Sequence, residues 1–152
     1  MYCTLTDIKN LLPEEIIIQL TDDENLKPAV IDPANAAHAA IIGRIDEAIE
    51  AADAEIDGYC AVNYTVPFST VPRLVTGLSV ELAIYYLYAR RTIPEDFQKR
   101  YDRAVSRLKD IAKGLMTLGV DPQSAPPASS GGAESNKPEP DRIFTLDKMR
   151  GF

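Results

Sequence analysis

The chain has 152 residues, 45% of them hydrophobic and 26% charged, with a formal net charge of -7. These are globular proportions, and they exclude a wholly disordered chain. No run of about 18 apolar residues exists, so no membrane span is expected, and the acidic balance argues against wrapping nucleic acid by phosphate neutralisation.

The charge is unevenly placed. Residues 1–62 carry 13 acids and 3 bases, whereas residues 63–118 carry 5 acids and 9 bases. The first part is therefore net -10 and the second net +4. The opening Met1-Tyr2-Cys3-Thr4 has no basic region and no long apolar run, and reads as no signal peptide.

In chain order, a short helix is predicted from about Thr6 to Leu12, capped by Thr4 or Thr6. Pro13 opens a second, Glu14 to Leu20, where its missing N–H costs nothing. Asp32-Pro33 has the form of an N-cap and first helical residue, predicting a long helix to about Ala61. Its apolar positions, Ile41, Ile45, Ala48, Ile49, Ala52, Ile56, Tyr59 and Cys60, fall on one stripe of period 3.6. Glu47, Glu50, Asp53 and Asp57 are expected largely on the other side.

Asn63 to Pro72 reads as a loop, its pre-proline residues held extended. A helix from about Pro72 to Arg91 follows. It is apolar on most sides, so it is central to a bundle or half faces another subunit. The tyrosines Tyr85, Tyr86 and Tyr88 span more than one face, as core plus rim or as a subunit interface. A fifth helix is predicted from Pro94 to about Leu118, with a stripe running from Phe97 through Leu108 to Leu115 and Leu118. Glu95–Lys99 and Asp96–Arg100 are favourable i,i+4 pairs, and Gly119 is placed to end the helix.

Residues 119–140 are rich in Pro, Gly and Ser, the composition of a linker. Residues 141–152 become apolar again, with Ile143, Phe144, Leu146, Met149 and Phe152. A solvated tail has no reason to keep five large apolar groups. The expected organisation is a helical domain over 1–118, a linker over 119–140 and a docking arm over 141–152. The fold class is all-α: a small bundle of about five helices, with two long antiparallel-packed ones and a central apolar helix.

Little in the chain suggests catalysis. Gly131-Gly132 stands in the linker, not in a phosphate loop. His38 reads as a solvated helix histidine. It would lie about 33 Å from Cys60 along one helix, too far for a dyad. Cys3 and Cys60 are expected as semi-buried free thiols, with a single bridge as the alternative. No catalytic residue, metal or cofactor is expected. The basic residues of the fifth helix, Lys99 to Lys113, keep nucleic-acid contact open as a lesser reading.

Three stretches carry a resemblance. They are the start Met1-Tyr2-Cys3-Thr4-Leu5-Thr6-Asp7-Ile8 with Glu15 to Asp22, the central Ala54 to Phe68 with Val71-Pro72, and the ending Asp141 to Phe152. Together they resemble the small helical neck proteins of Mu-like phages and prophages. Asn63 departs from the basic residue common at that point of the family.

The resemblance implies a head–tail connector, or adaptor: a virion subunit forming a ring, often of twelve copies, below the portal protein. Such a ring extends the DNA channel and meets a stopper or another neck or tail protein. The location implied is the virion neck, assembled in the host cytoplasm. The alternatives are another neck role (stopper, head completion or tail terminator) or a small nucleic-acid-binding packaging factor.

Ile143, Phe144, Leu146, Met149, Arg150 and Phe152 are the expected contacts to the portal or a neighbouring subunit. Tyr64, Pro67 and Phe68 are expected loop contacts. Glu47, Glu50, Asp53 and Asp57 are expected at the lumen, where they would let DNA slide past, or at an interface. Segregated charge suits a head-to-tail ring, in which one face meets a different face of the neighbour.

Overall fold

A computed structural model describes residues 1–120. They form five α-helices and no strand: α1 (Leu5–Lys9), α2 (Glu14–Thr21), α3 (Ala39–Cys60), α4 (Arg73–Leu87) and α5 (Glu95–Ala112). A single 3-10 turn, Ala36–His38, precedes α3. None of these helices is long and apolar enough to cross a membrane. The linker and docking arm expected beyond residue 118 lie outside the described residues, apart from Gly119 and Val120.

Thr4 caps α1. Its hydroxyl accepts from the Asp7 N–H, while the Asp7 carboxylate accepts from the Thr4 N–H at 2.9 Å, a reciprocal capping box. Pro13 occupies the N-cap of α2, and Glu14 and Glu15 fill its first turn, next to the positive end of the helix dipole.

The long helix begins at Ala39, not at Asp32-Pro33. Asp32 spends its carboxylate on the Ala34 N–H, and Asn35 accepts from Ala37 N–H. These local side-chain bonds offer the backbone an alternative to helix. His38 is buried, contrary to its expected solvation. Its Nδ1 accepts from the Asp32 N–H at 3.0 Å, tying the turn to the start of α3. Glu14 reaches across to Lys9 and to the Ile31 N–H, pinning the same loop over α1 and α2.

α3 buries the stripe read from sequence: Ile41, Ile45, Ala48, Ile49, Ala52, Ile56 and Cys60. α4 is the centre of the bundle and touches all four other helices. It buries Val75, Leu78, Ser79, Leu82, Ala83, Ile84 and Leu87. Each large aliphatic side chain so buried contributes about 2 kcal/mol.

Pairings along α4 show its direction. Ser79 meets Asp53, while Tyr86 and Leu87 share a groove with Ala48 and Ala51. Tyr85 stacks on Tyr101 and Tyr88 on Phe97. Numbers rise on α4 as they fall on its partners, so α4 runs antiparallel to both α3 and α5. The two longest helices, α3 and α5, therefore share one direction rather than packing antiparallel as expected, because the antiparallel α4 lies between them in the chain, with Glu55 beside Tyr101 and Asn63 beside Ile111.

α5 is shorter than the sequence pattern implied, because Gly114 closes it before Gly119. Gly114 adopts φ 73°, the left-handed region open to glycine. The Leu115 N–H then bonds back to Asp110 O at 2.9 Å and the Gly114 N–H to Ile111 O at 3.0 Å. Leu115 is thereby thrown out of the stripe and is 76% exposed, whereas Leu118 folds back and is buried. The Glu95–Lys99 pair forms; Arg100 instead lies over the Phe97 ring.

Candidate interaction surfaces

Four acids were expected to share one outward face of α3. Only Glu47 and Glu50 do so, and both are exposed. Asp53 and Asp57 point toward the N-terminal segment. Asp53 accepts from the Tyr2 N–H at 2.8 Å and from the Ser79 hydroxyl at 2.7 Å. Asp57 accepts from the Tyr2 hydroxyl. The Phe68 N–H donates to the same hydroxyl at 3.2 Å. Tyr2 thus joins the chain start, α3 and the 63–72 loop. Burial and the adjacent Asp57 carboxylate push its phenol well above the ordinary value.

The three loop residues singled out from sequence part company. Tyr64 is buried, and its hydroxyl accepts from the Leu118 N–H at 3.1 Å. Phe68 is half-buried and packs on both Tyr2 and Tyr64. Pro67, after a cis peptide bond, is exposed. Tyr64 therefore holds the bundle's own end together, and Pro67 alone presents itself outward. The portal-contact set Ile143, Phe144, Leu146, Met149, Arg150 and Phe152 lies outside the described residues.

A second knot sits on α3. The Glu55 carboxylate accepts from Tyr86 at 2.7 Å and from Tyr101 at 3.3 Å, linking α3, α4 and α5. Burial, then Glu55, raises the Tyr86 phenol; burial and Glu55 also raise Tyr101. The aromatic cluster is thus core and rim of one bundle, with Tyr88 buried and Tyr85 half-buried. A third clamp joins the α2–α3 loop to the end of α4, where Arg44 and Arg90 both grip Asp23.

Cys3 and Cys60 are free thiols, as expected, but are fully buried rather than semi-buried. Burial, before other causes, pushes both thiols up to about 11.

Asn63, Tyr2 and Glu55 were not singled out as structural residues by sequence reasoning. Asn63 donates twice from Nδ2, to Ile111 O at 2.8 Å and to Ala112 O at 2.9 Å. It therefore caps the last carbonyls of a helix 48 residues away. The resemblance implied a basic residue at that point, and a cationic side chain also satisfies helix-end carbonyls.

These internal pairings do not use every charge. Among the described residues, Glu47 and Glu50 on α3 have no ion-pair partner. The same is true of Arg73 on α4 and of Arg100, Arg103 and Arg107 on α5.

A match to a family model identifies the family. The family model described as "Bacteriophage Mu, Gp36" matches residues 2–137. The chain is also similar to the "Mu-like prophage FluMu protein gp36" of Haemophilus influenzae, at 29% identity over 90 residues. That alignment covers 59% of this chain and 63% of the relative, so the chain spans less than two thirds of that protein's length. The family match takes in all five helices, and the chain belongs to the Bacteriophage Mu Gp36 family.

Proposed function

We propose that this Mu-like phage protein is a structural virion component, a head–tail connector subunit that assembles into a ring below the portal. The observation that carries the reading is the family match across residues 2–137, which takes in the whole helical bundle. The organisation of the bundle supports it. Its buried polar groups hold its own elements together, and residues 1–62 are net -10 where residues 63–118 are net +4. Such a division of charge suits assembly with copies of itself and with neighbours.

Residues 141–152 are the attachment arm in this reading, their apolar side chains docking on the portal or on a neighbouring subunit. The ring extends the DNA channel and receives a stopper or other neck protein.

Particle imaging tests the role. Density fitted by the bundle between portal and tail supports it; density at the tail terminus or inside the capsid overturns it. Co-purification with the portal tests the arm. Deleting residues 141–152 should leave the helical far-UV signal intact and abolish portal capture. Tight, strongly salt-dependent DNA binding by the isolated chain would instead favour a packaging factor.

A further inference from the structure

Two unlike surfaces stand on different sides of α4. The first is the outward face of α3, formed by Gly43, Glu47, Glu50, Ala54 and Gly58, all exposed. A Cβ built at Gly43 or Gly58 meets open space. This face is narrow, acidic and covered by nothing among the described residues.

The second is a groove of about 380 Å³ between α1, α4 and α5. Leu11, Gly77 and Val80 supply its apolar part, and Arg73 and Arg100 stand in its walls. Two acids also line it. Asp7 accepts from Thr4 in the capping box of α1 but keeps its charge, so Asp7 and Glu81 match Arg73 and Arg100 in number and the excess positive charge lies on the rim beyond the groove. Arg103 and Arg107 continue the Arg100 edge along α5, since residues three and four apart are neighbours on a helix.

α3 packs its apolar stripe toward α4, and the groove lies on another flank of α4. The acidic face and the arginine edge therefore cannot neutralise each other within one chain. They can do so between two chains placed head to tail, which is how unlike surfaces generate a ring.

We propose that the arginine-edged groove of one copy receives the outward α3 face of a second copy. Glu47 and Glu50 then meet Arg100, Arg103 and Arg107, and the small residues let the helix sit close to the Leu11–Val80 floor. This is helix-in-groove recognition steered by opposite charge. It rests on the reading of the chain as a ring-forming subunit. It assigns these two acids to the subunit interface rather than to the channel lumen.

The test is a charge swap read by size-exclusion chromatography with light scattering on the full chain. One variant carries Glu47→Lys and Glu50→Lys; the other carries Arg103→Glu and Arg107→Glu. All four side chains are exposed, and far-UV circular dichroism checks that both variants fold. Each variant alone should need about 100-fold more protein than the wild type to assemble, because like charges now meet. An equimolar mixture should regain wild-type assembly, since each variant then offers its partner the opposite sign.

Wild-type assembly by either variant alone overturns the interface and leaves the ring reading standing. Failure of the mixture to reassemble also overturns the interface. A wild-type chain that stays monomeric at every concentration overturns both.

Discussion

Replacing Asn63 with alanine removes two hydrogen bonds at the junction of α3 and α5. The Asn63 Nδ2 atom donates to Ile111 O at 2.8 Å and to Ala112 O at 2.9 Å. A neutral hydrogen bond contributes about 0.5–1.5 kcal/mol net, so the pair amounts to about 2 kcal/mol. The Gly114 turn still satisfies the Asp110 and Ile111 carbonyls, which keeps the loss from growing further. Ala112 O has no such second donor among the backbone bonds of that turn.

Urea unfolding followed at 222 nm measures the effect. The midpoint should fall while the slope stays constant, because the bundle buries the same surface. A domain of this size loses about 4 °C of Tm per kcal/mol, so Tm should drop by about 8 °C. Asn63→Lys should cost less than half as much, because a cationic donor also serves carbonyls at the negative end of a helix. A loss below about 0.5 kcal/mol for Asn63→Ala would refute the capping role, since that is within the range of an ordinary surface substitution.

Tyr2→Phe removes the hydroxyl shared by Asp57 and the Phe68 N–H, and should destabilise by about 1–3 kcal/mol in the same urea assay. The protease sensitivity of the 63–72 loop should rise with it. Ile56→Ala, at a fully buried site on α3, should cost about 2–5 kcal/mol through lost burial and the cavity left behind. Native Cys3 and Cys60 should react slowly with a thiol reagent at pH 8 and at the rate of free thiols in denaturant, because burial holds both in the protonated form. Their folded values, about 11, lie above the ordinary 9. Their contribution to stability is therefore complete below pH 9 and is lost as pH rises through about 11, a decline that Cys→Ser variants should lessen.

Local pattern determined much of this protein. The α3 stripe from Ile41 to Cys60 was legible because a 3.6 period over 20 residues has one solution, a helix with one buried side. The centrality of α4 followed from its being apolar nearly all round. The segregation of charge, and the resemblance that led to the family, were also carried by residue identity and order alone.

Tertiary structure decided the boundaries and the roles of polar side chains. α3 starts late because Asp32 and Asn35 bond locally, a competition that propensity alone does not rank. α5 stops at Gly114 rather than Gly119 because only folding shows which glycine takes the helix-ending turn; both have φ 73°.

The four acids of α3 looked equivalent in sequence. Folding sends Asp53 and Asp57 to Tyr2 and Ser79, and leaves Glu47 and Glu50 outside. Asn63 shows the same limit, since its partners lie 48 and 49 residues away. Hydrophobic periodicity depends on near neighbours and can be read along the chain. A polar side chain's partner is set by which distant backbone or carboxylate the fold brings within about 3 Å, and only the assembled bundle specifies that.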